Sequence, residues 1–63
     1  MQTIRERREE LGMTQTELAK KVGLAPSMIN KLEKGVVSPS VVTLMSLAQV
    51  LDTTMDKLAG MDG

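Results

Sequence analysis

Eight carboxylates and eight lysine or arginine side chains carry the ionic chemistry of this chain, and neither histidine nor cysteine stands beside them. The commonest general base, the commonest metal ligand and the thiolate nucleophile are therefore all missing. Glu9 and Glu10 are adjacent carboxylates, but neighbours on a helix point to different sides and cannot converge on one substrate atom. No nucleophile–base pair, metal cluster or phosphate-cradling glycine loop is readable, so an enzyme is not expected, nor a metal or organic cofactor. Recognition remains. Between Thr14 and Gly35 the run TQTELAKKVGLAPSMINKLEKG spaces its apolar residues for two short helices and leaves one face polar, a face that can enter the major groove of DNA.

The elements that must hold this face are legible in turn. Leu18, Ala19 and Val22 stand at i, i+1 and i+4, Ile29 and Leu32 at i and i+3, and Gly23 falls between the two groups where a positive φ turns one helix off the other. Thr14 with Glu17 predicts a capping box for the first of these helices. Pro26 suits the first turn of the second, Ala25 is a poor cap for it, and Gly35 closes it. Upstream, Thr3 and Glu6 predict another capping box, Ile4, Arg8 and Leu11 a narrow apolar seam interrupted by one arginine, and Gly12 its end. Downstream, a loop containing Pro39 leads to Ser38 or Ser40 as a cap. A helix follows with Leu44, Leu47, Ala48 and Leu51 facing the core and Val41 and Val42 at its entrance. After Asp52 the chain turns, and Thr54 caps a last helix carrying Met55, Leu58 and Met61 and ending at Gly60. Five short helices result, an all-α fold; no run alternates with period two for long enough to predict a sheet.

Sixty-three residues make one domain, spanning 1–63, with the helix-turn-helix unit at about 14–35. At this size the core alone supplies about 3–5 kcal/mol, and no disulfide can supplement it. Nothing at the N-terminus resembles a signal peptide and no apolar run approaches the ~20 residues that span a bilayer, so a cytoplasmic location without membrane contact is expected. Net charge is zero, yet residues 1–34 hold seven cations against five carboxylates and residues 35–63 one against three. The helix-turn-helix end is the positive one, and DNA affinity is expected to be modest and strongly salt-dependent. Six methionines and no aromatic residue predict methionine as core filler, with Met55 and Met61 the exceptions, at a two-fold interface.

Leu11-Gly12-Met13-Thr14-Gln15, Glu17-Leu18-Ala19, Val22-Gly23, Ile29, Leu32-Glu33-Lys34-Gly35, and Pro39-Ser40 through Leu44, Leu47-Ala48 and Leu51 are similar to the pattern of the lambda-type phage repressor and Cro (XRE-like) helix-turn-helix family. The resemblance covers almost the whole chain. It implies a compact five-helix lambda repressor-like DNA-binding domain acting as a transcriptional regulator. Its recognition helix, at about 26–34, would lie in the major groove of a pseudo-palindromic operator, bound as a homodimer that is weak or monomeric when free. By the same resemblance Pro26, Ser27 and Lys31 fall at base-reading positions, with Met28 and Asn30 near the groove wall. Gln15, Lys34 and the N–H groups around Gly35, Val36 and Val37 would meet phosphates. Pro26 departs from the pattern, since proline has no side-chain donor, and Val36-Val37-Ser38 replaces a loop that is often basic. Arg8 and Glu33 occupy core-facing positions with opposite charge, and in some phage repressors matching positions form a buried ion pair. Two other readings use the same fold without DNA: an antitoxin-type protein-interaction module, favoured by the neutral charge and the valine loop, and a redesigned or truncated stability scaffold whose DNA contacts were never selected.

Overall fold

The computed structural model describes residues 3–58, and among these the regular secondary structure is all helix, joined by short turns and loops. Four helices of seven to ten residues, α1 (Ile4–Glu10), α2 (Gln15–Val22), α3 (Pro26–Lys34) and α4 (Val41–Val50), are followed by a single helical turn, α5 (Met55–Leu58). The expected count of five short helices thus stands as four helices and this single turn; Gly60 and Met61 lie outside the described residues.

Local chemistry sets most of the boundaries. Thr3 and Thr14 each accept a hydrogen bond from the backbone three residues on, while Glu6 and Glu17 reach back to the cap N–H, completing both capping boxes. Ser40, not Ser38, caps α4 by accepting from the Thr43 N–H. α3 begins at Pro26 with no side-chain cap at Ala25, where the missing proline N–H needs no partner. Each of the first four helices ends in the same way. The N–H that follows a left-handed residue reaches back over it into the last turn, Met13 to Arg8, Leu24 to Ala19, Val36 to Lys31 and Thr53 to Ala48. In three cases that residue is glycine; in the fourth it is Asp52 at φ 52°, a residue type that tolerates this region better than most.

Gly23 is the elbow. Its φ of 75° turns the chain so that α3 crosses α2, and a methyl group added there would touch nothing within 4 Å, so the requirement is conformational and not steric. α2 packs on α3 and α4, α1 on α3, and α5 on α4. At the centre Ile4, Leu18, Ile29, Leu47, Leu51 and Leu58 are fully buried, with Ala19, Leu32, Leu44 and Ala48 around them. Three expectations change. Leu11 is 40% exposed, because the chain leaves the helix there and the third position of the seam never reaches the core. Val41 and Val42 are 67% and 73% exposed, standing off the α4 face that carries Leu44, Leu47 and Ala48. Met13 and Met55 pack against the core as filler, but Met28 and Met45 are exposed.

Gly23→Ala should cost about 1–2 kcal/mol, the strain of a left-handed alanine, read as a lower urea midpoint with an unchanged slope. A variant as stable as the parent would show that the elbow does not need its positive φ.

Candidate nucleic-acid interface

Two helical faces decide what this domain can touch. On α3 the residues opposite Ile29 and Leu32 are Ser27, Lys31 and Lys34, at i, i+4 and i+7, and all three are exposed. They form one polar ridge along the helix, ending in the two cations of its last turn, where positive charge also suits the helix dipole. Met28 and Asn30 flank the ridge on opposite sides. Met28 leans toward Leu24, Leu32 and the Ser38–Ser40 loop. Asn30, half-buried, lines an open polar cleft of about 290 Å3 with Arg5, Arg8, Gln15, Glu33 and Lys34. Pro26 is exposed at the start of α3 and borders a shallow groove shared with Thr16 and Lys20 of α2.

The sequence-predicted residues therefore fall into two groups. Ser27 and Lys31 project from α3 alone, whereas Gln15, Asn30 and Lys34 gather around one cleft at the junction of α1, α2 and α3. The N–H groups expected to meet phosphate after α3 are differently employed. Gly35 donates to Leu32 at 3.2 Å and Val36 to Lys31 at 3.0 Å, closing the helix, so these two are spent inside the chain. Val36 presents an exposed isopropyl group and Val37 packs against the core.

Beneath the cleft lies an ion pair. Arg8 Nε donates to Glu33 Oε2 at 2.6 Å and Nη2 to Oε1 at 3.1 Å, a bidentate contact whose side chains are 10% and 4% exposed. The remaining polarity is satisfied from two further elements: Arg8 Nη1 donates to the Met13 carbonyl at 2.8 Å, and Gln15 Nε2 donates to Glu33 Oε1 at 3.0 Å. One carboxylate thus joins α1, α2 and α3. Gln15 is held by its own hydrogen bond, and its amide keeps a second N–H for a ligand. Burial opposes ionisation of Glu33, but hydrogen bonds from Arg8 and Gln15 and the Arg8 charge outweigh it and hold the carboxyl below its usual range. The Arg8 guanidinium is pushed up by its hydrogen bonds to Glu33, against its own desolvation.

Sequence reasoning passed over Arg7. Its Nε donates to the Leu51 carbonyl at 2.8 Å and Nη2 to the Asp52 carbonyl at 3.2 Å, while Nη1 pairs with Glu10 at 3.2 Å. A cation set on the last carbonyls of a helix is favourable, but the partners are 44 and 45 residues away and no local pattern announces them. Among the described residues no group of three or more His, Cys, Asp or Glu could hold a metal, and no helix is long and apolar enough to cross a membrane.

A capped positioning helix, a left-handed glycine elbow and a second helix laid across it with a polar outer ridge define a helix-turn-helix domain. The helix-turn-helix family model matches residues 4–58, and the chain belongs to that family. It is 50% identical over 48 residues to a protein of Methanothermobacter thermautotrophicus named an uncharacterized HTH-type transcriptional regulator, with 76% of this chain and 70% of that one covered. A protein of Archaeoglobus fulgidus with the same name is 46% identical over 55 residues, covering 87% of this chain and 79% of its own. No solved structure gives a significant match.

Arg8→Ala should cost about 3–5 kcal/mol by stranding Glu33, whereas replacing both residues with apolar ones of similar volume should cost far less; thermal melts distinguish the two, and an unshifted Arg8→Ala melt would show that the pair carries no stability. Because the folded-state pKa of Glu33 lies below its unfolded value, the stabilisation is complete above the ordinary glutamate range near ~4.3 and is lost as pH falls through the folded value. The melting temperature should therefore drop on acidification more steeply in the parent than in Glu33→Gln.

Proposed function

We propose that this chain is a sequence-specific, double-stranded DNA-binding transcriptional regulator of the repressor type. The observation that carries the reading is the exposed Ser27–Lys31–Lys34 ridge, held on a rigid elbow beside a cleft where Gln15 is already oriented. In this reading α3 enters the major groove. Lys31 donates to guanine O6 and N7, Ser27 serves either base type, Met28 touches a thymine methyl, and Pro26 contributes shape without a hydrogen bond. Gln15 and Lys34 meet backbone phosphates and fix the register. Asn30, facing the cleft, sits closer to the phosphate group than to the base-reading ridge.

In this reading the regulator binds a pseudo-palindromic site as a homodimer, and doubling the contacts compensates for the small positive surplus of residues 1–34. Such a regulator works in the cytoplasm, needs no cofactor and catalyses no reaction. The relatives named as HTH-type transcriptional regulators support this reading. A protein-interaction role on the same fold has one observation in its favour, the exposed Val36, Val41, Val42 and Met45.

Fluorescence anisotropy against a pool of random duplexes at two salt concentrations tests the proposal. A palindromic motif should be enriched. Lys31→Ala should cost about 1–3 kcal/mol on the preferred sequence and relax the preference at one base pair. Gln15→Ala should weaken all sequences alike and leave the salt slope unchanged, because a neutral amide releases no counterion, whereas Lys34→Ala should reduce the slope by about 0.9. Enrichment of no motif at low salt would remove the DNA reading and leave the protein-interaction role.

A further inference from the structure

The outer surface of α3 changes character along its length. Its last turn carries Lys31 and Lys34, and Lys34 borders the polar cleft with Asn30 and Arg5. The opposite end is apolar. Ala25, Pro26 and Met28 are exposed there, while Leu24, half-buried, lines two open grooves, one of about 320 Å3 beside Pro26 and one of about 230 Å3 beside Met28. None of these four side chains has a hydrogen-bond donor or a strong acceptor. Ser27 is the one polar side chain between residues 24 and 28, and the first turn of α3 contains no acidic residue.

In a helix-turn-helix the N-terminal residues of the second helix face the base edges, and each polar group displayed there has a characteristic protein partner. Adenine is met by an amide, cytosine N4 by a carboxylate and guanine by a cation. The start of α3 offers none of these, since its first turn has neither amide nor carboxylate, Asn30 lines the cleft, and Lys31 stands more than a turn beyond Pro26. The one apolar group that the major groove displays is the methyl on pyrimidine C5. We infer that the Pro26–Met28 end of α3 reads pyrimidine C5-methyl groups, so that 5-methylcytosine in a site is bound as thymine is and unmethylated cytosine is bound more weakly. The inference rests on the DNA reading above and names what that face selects. Thymine and 5-methylcytosine carry the methyl at the same ring position and differ at C4, where one presents a carbonyl and the other an amine. Ser27 meets both, because a hydroxyl donates to the first and accepts from the second. Cytosine methylation is therefore a switch for this domain, supplying the apolar contact without altering base pairing.

The test starts from the duplex that the random pool enriches, with binding followed by fluorescence anisotropy at one salt concentration. Replacing each thymine in turn by uracil removes a methyl group and nothing else. At the positions facing Pro26 and Met28 it should weaken binding about fourfold, the worth of one buried methyl. Cytosine opposite guanine at those positions should show the same loss, and 5-methylcytosine should come back to within about twofold of thymine. Met28→Ala and Pro26→Ala, each checked by a thermal melt, should shrink the uracil penalty at the position that the missing side chain covers and keep the preference at the Lys31 base pair. Either variant suffices should the other fail to fold. An enriched motif without thymine, uracil tolerated at every position, cytosine and 5-methylcytosine bound alike, or a penalty that persists in full in the folded variants overturns the inference and leaves the DNA reading standing. A pool that enriches no motif removes both.

Discussion

The bidentate contact between Arg8 and Glu33 is the constraint around which the rest of the domain is arranged. A chain of 63 residues with no cysteine and no aromatic side chain has little apolar volume to spend on fixing helix orientations. Here a single carboxylate, held by α1 through Arg8 and by α2 through Gln15, sits on α3 and ties three helices at one point. A buried pair is weak evidence of net stability, because desolvating both ions consumes most of what their attraction returns. Its strength lies in direction: leucines permit many crossing angles, whereas a forked guanidinium matched to a carboxylate permits few.

That directional role connects the core to the cleft at the junction of α1, α2 and α3. The oxygen of Glu33 that accepts from Arg8 Nη2 also accepts from Gln15. Gln15, one of the side chains that line the cleft, is therefore pre-oriented by the same interaction that locks α1 against α3, and in the proposed DNA reading the ordering entropy of its phosphate contact is met when the domain folds. On the far side of α1, Arg7 performs a comparable task against the carbonyls that end α4. α1 carries no residue of the α3 ridge, yet its two consecutive arginines fasten it to two separate elements, α3 and the turn that ends α4.

Features set within one turn of helix were legible in advance. Thr3, Thr14 and Gly23 behave as their neighbours three or four residues away dictate, because capping boxes and left-handed turns are closed by local hydrogen bonds. The central leucines were equally clear from their spacing. Errors collect where burial depends on a partner element. Val41 and Val42 have the right polarity for a core but are exposed on a side of α4 that no other described helix covers. Leu11 has the right spacing, but the helix ends before it. In the candidate site, Lys31 and Ser27 were singled out by the family resemblance, whereas the turn of Asn30 toward the cleft that Gln15 lines and the use of the Gly35 and Val36 N–H groups in closing α3 depend on how the helices meet and end.

The sequence by itself determined the helical class, most helix boundaries, the central leucine core and the family resemblance, since hydrogen bonds of short range and a 3.6-residue period are written into neighbouring residues. Only the tertiary structure decided that Arg7 reaches the end of α4, that Gln15 answers to Glu33, and that among the described residues one apolar face of α4 is left uncovered. Those outcomes join residues 18 to 45 positions apart or concern the absence of a covering element. Distance along the chain carries no record of which side chains the packed helices will bring together.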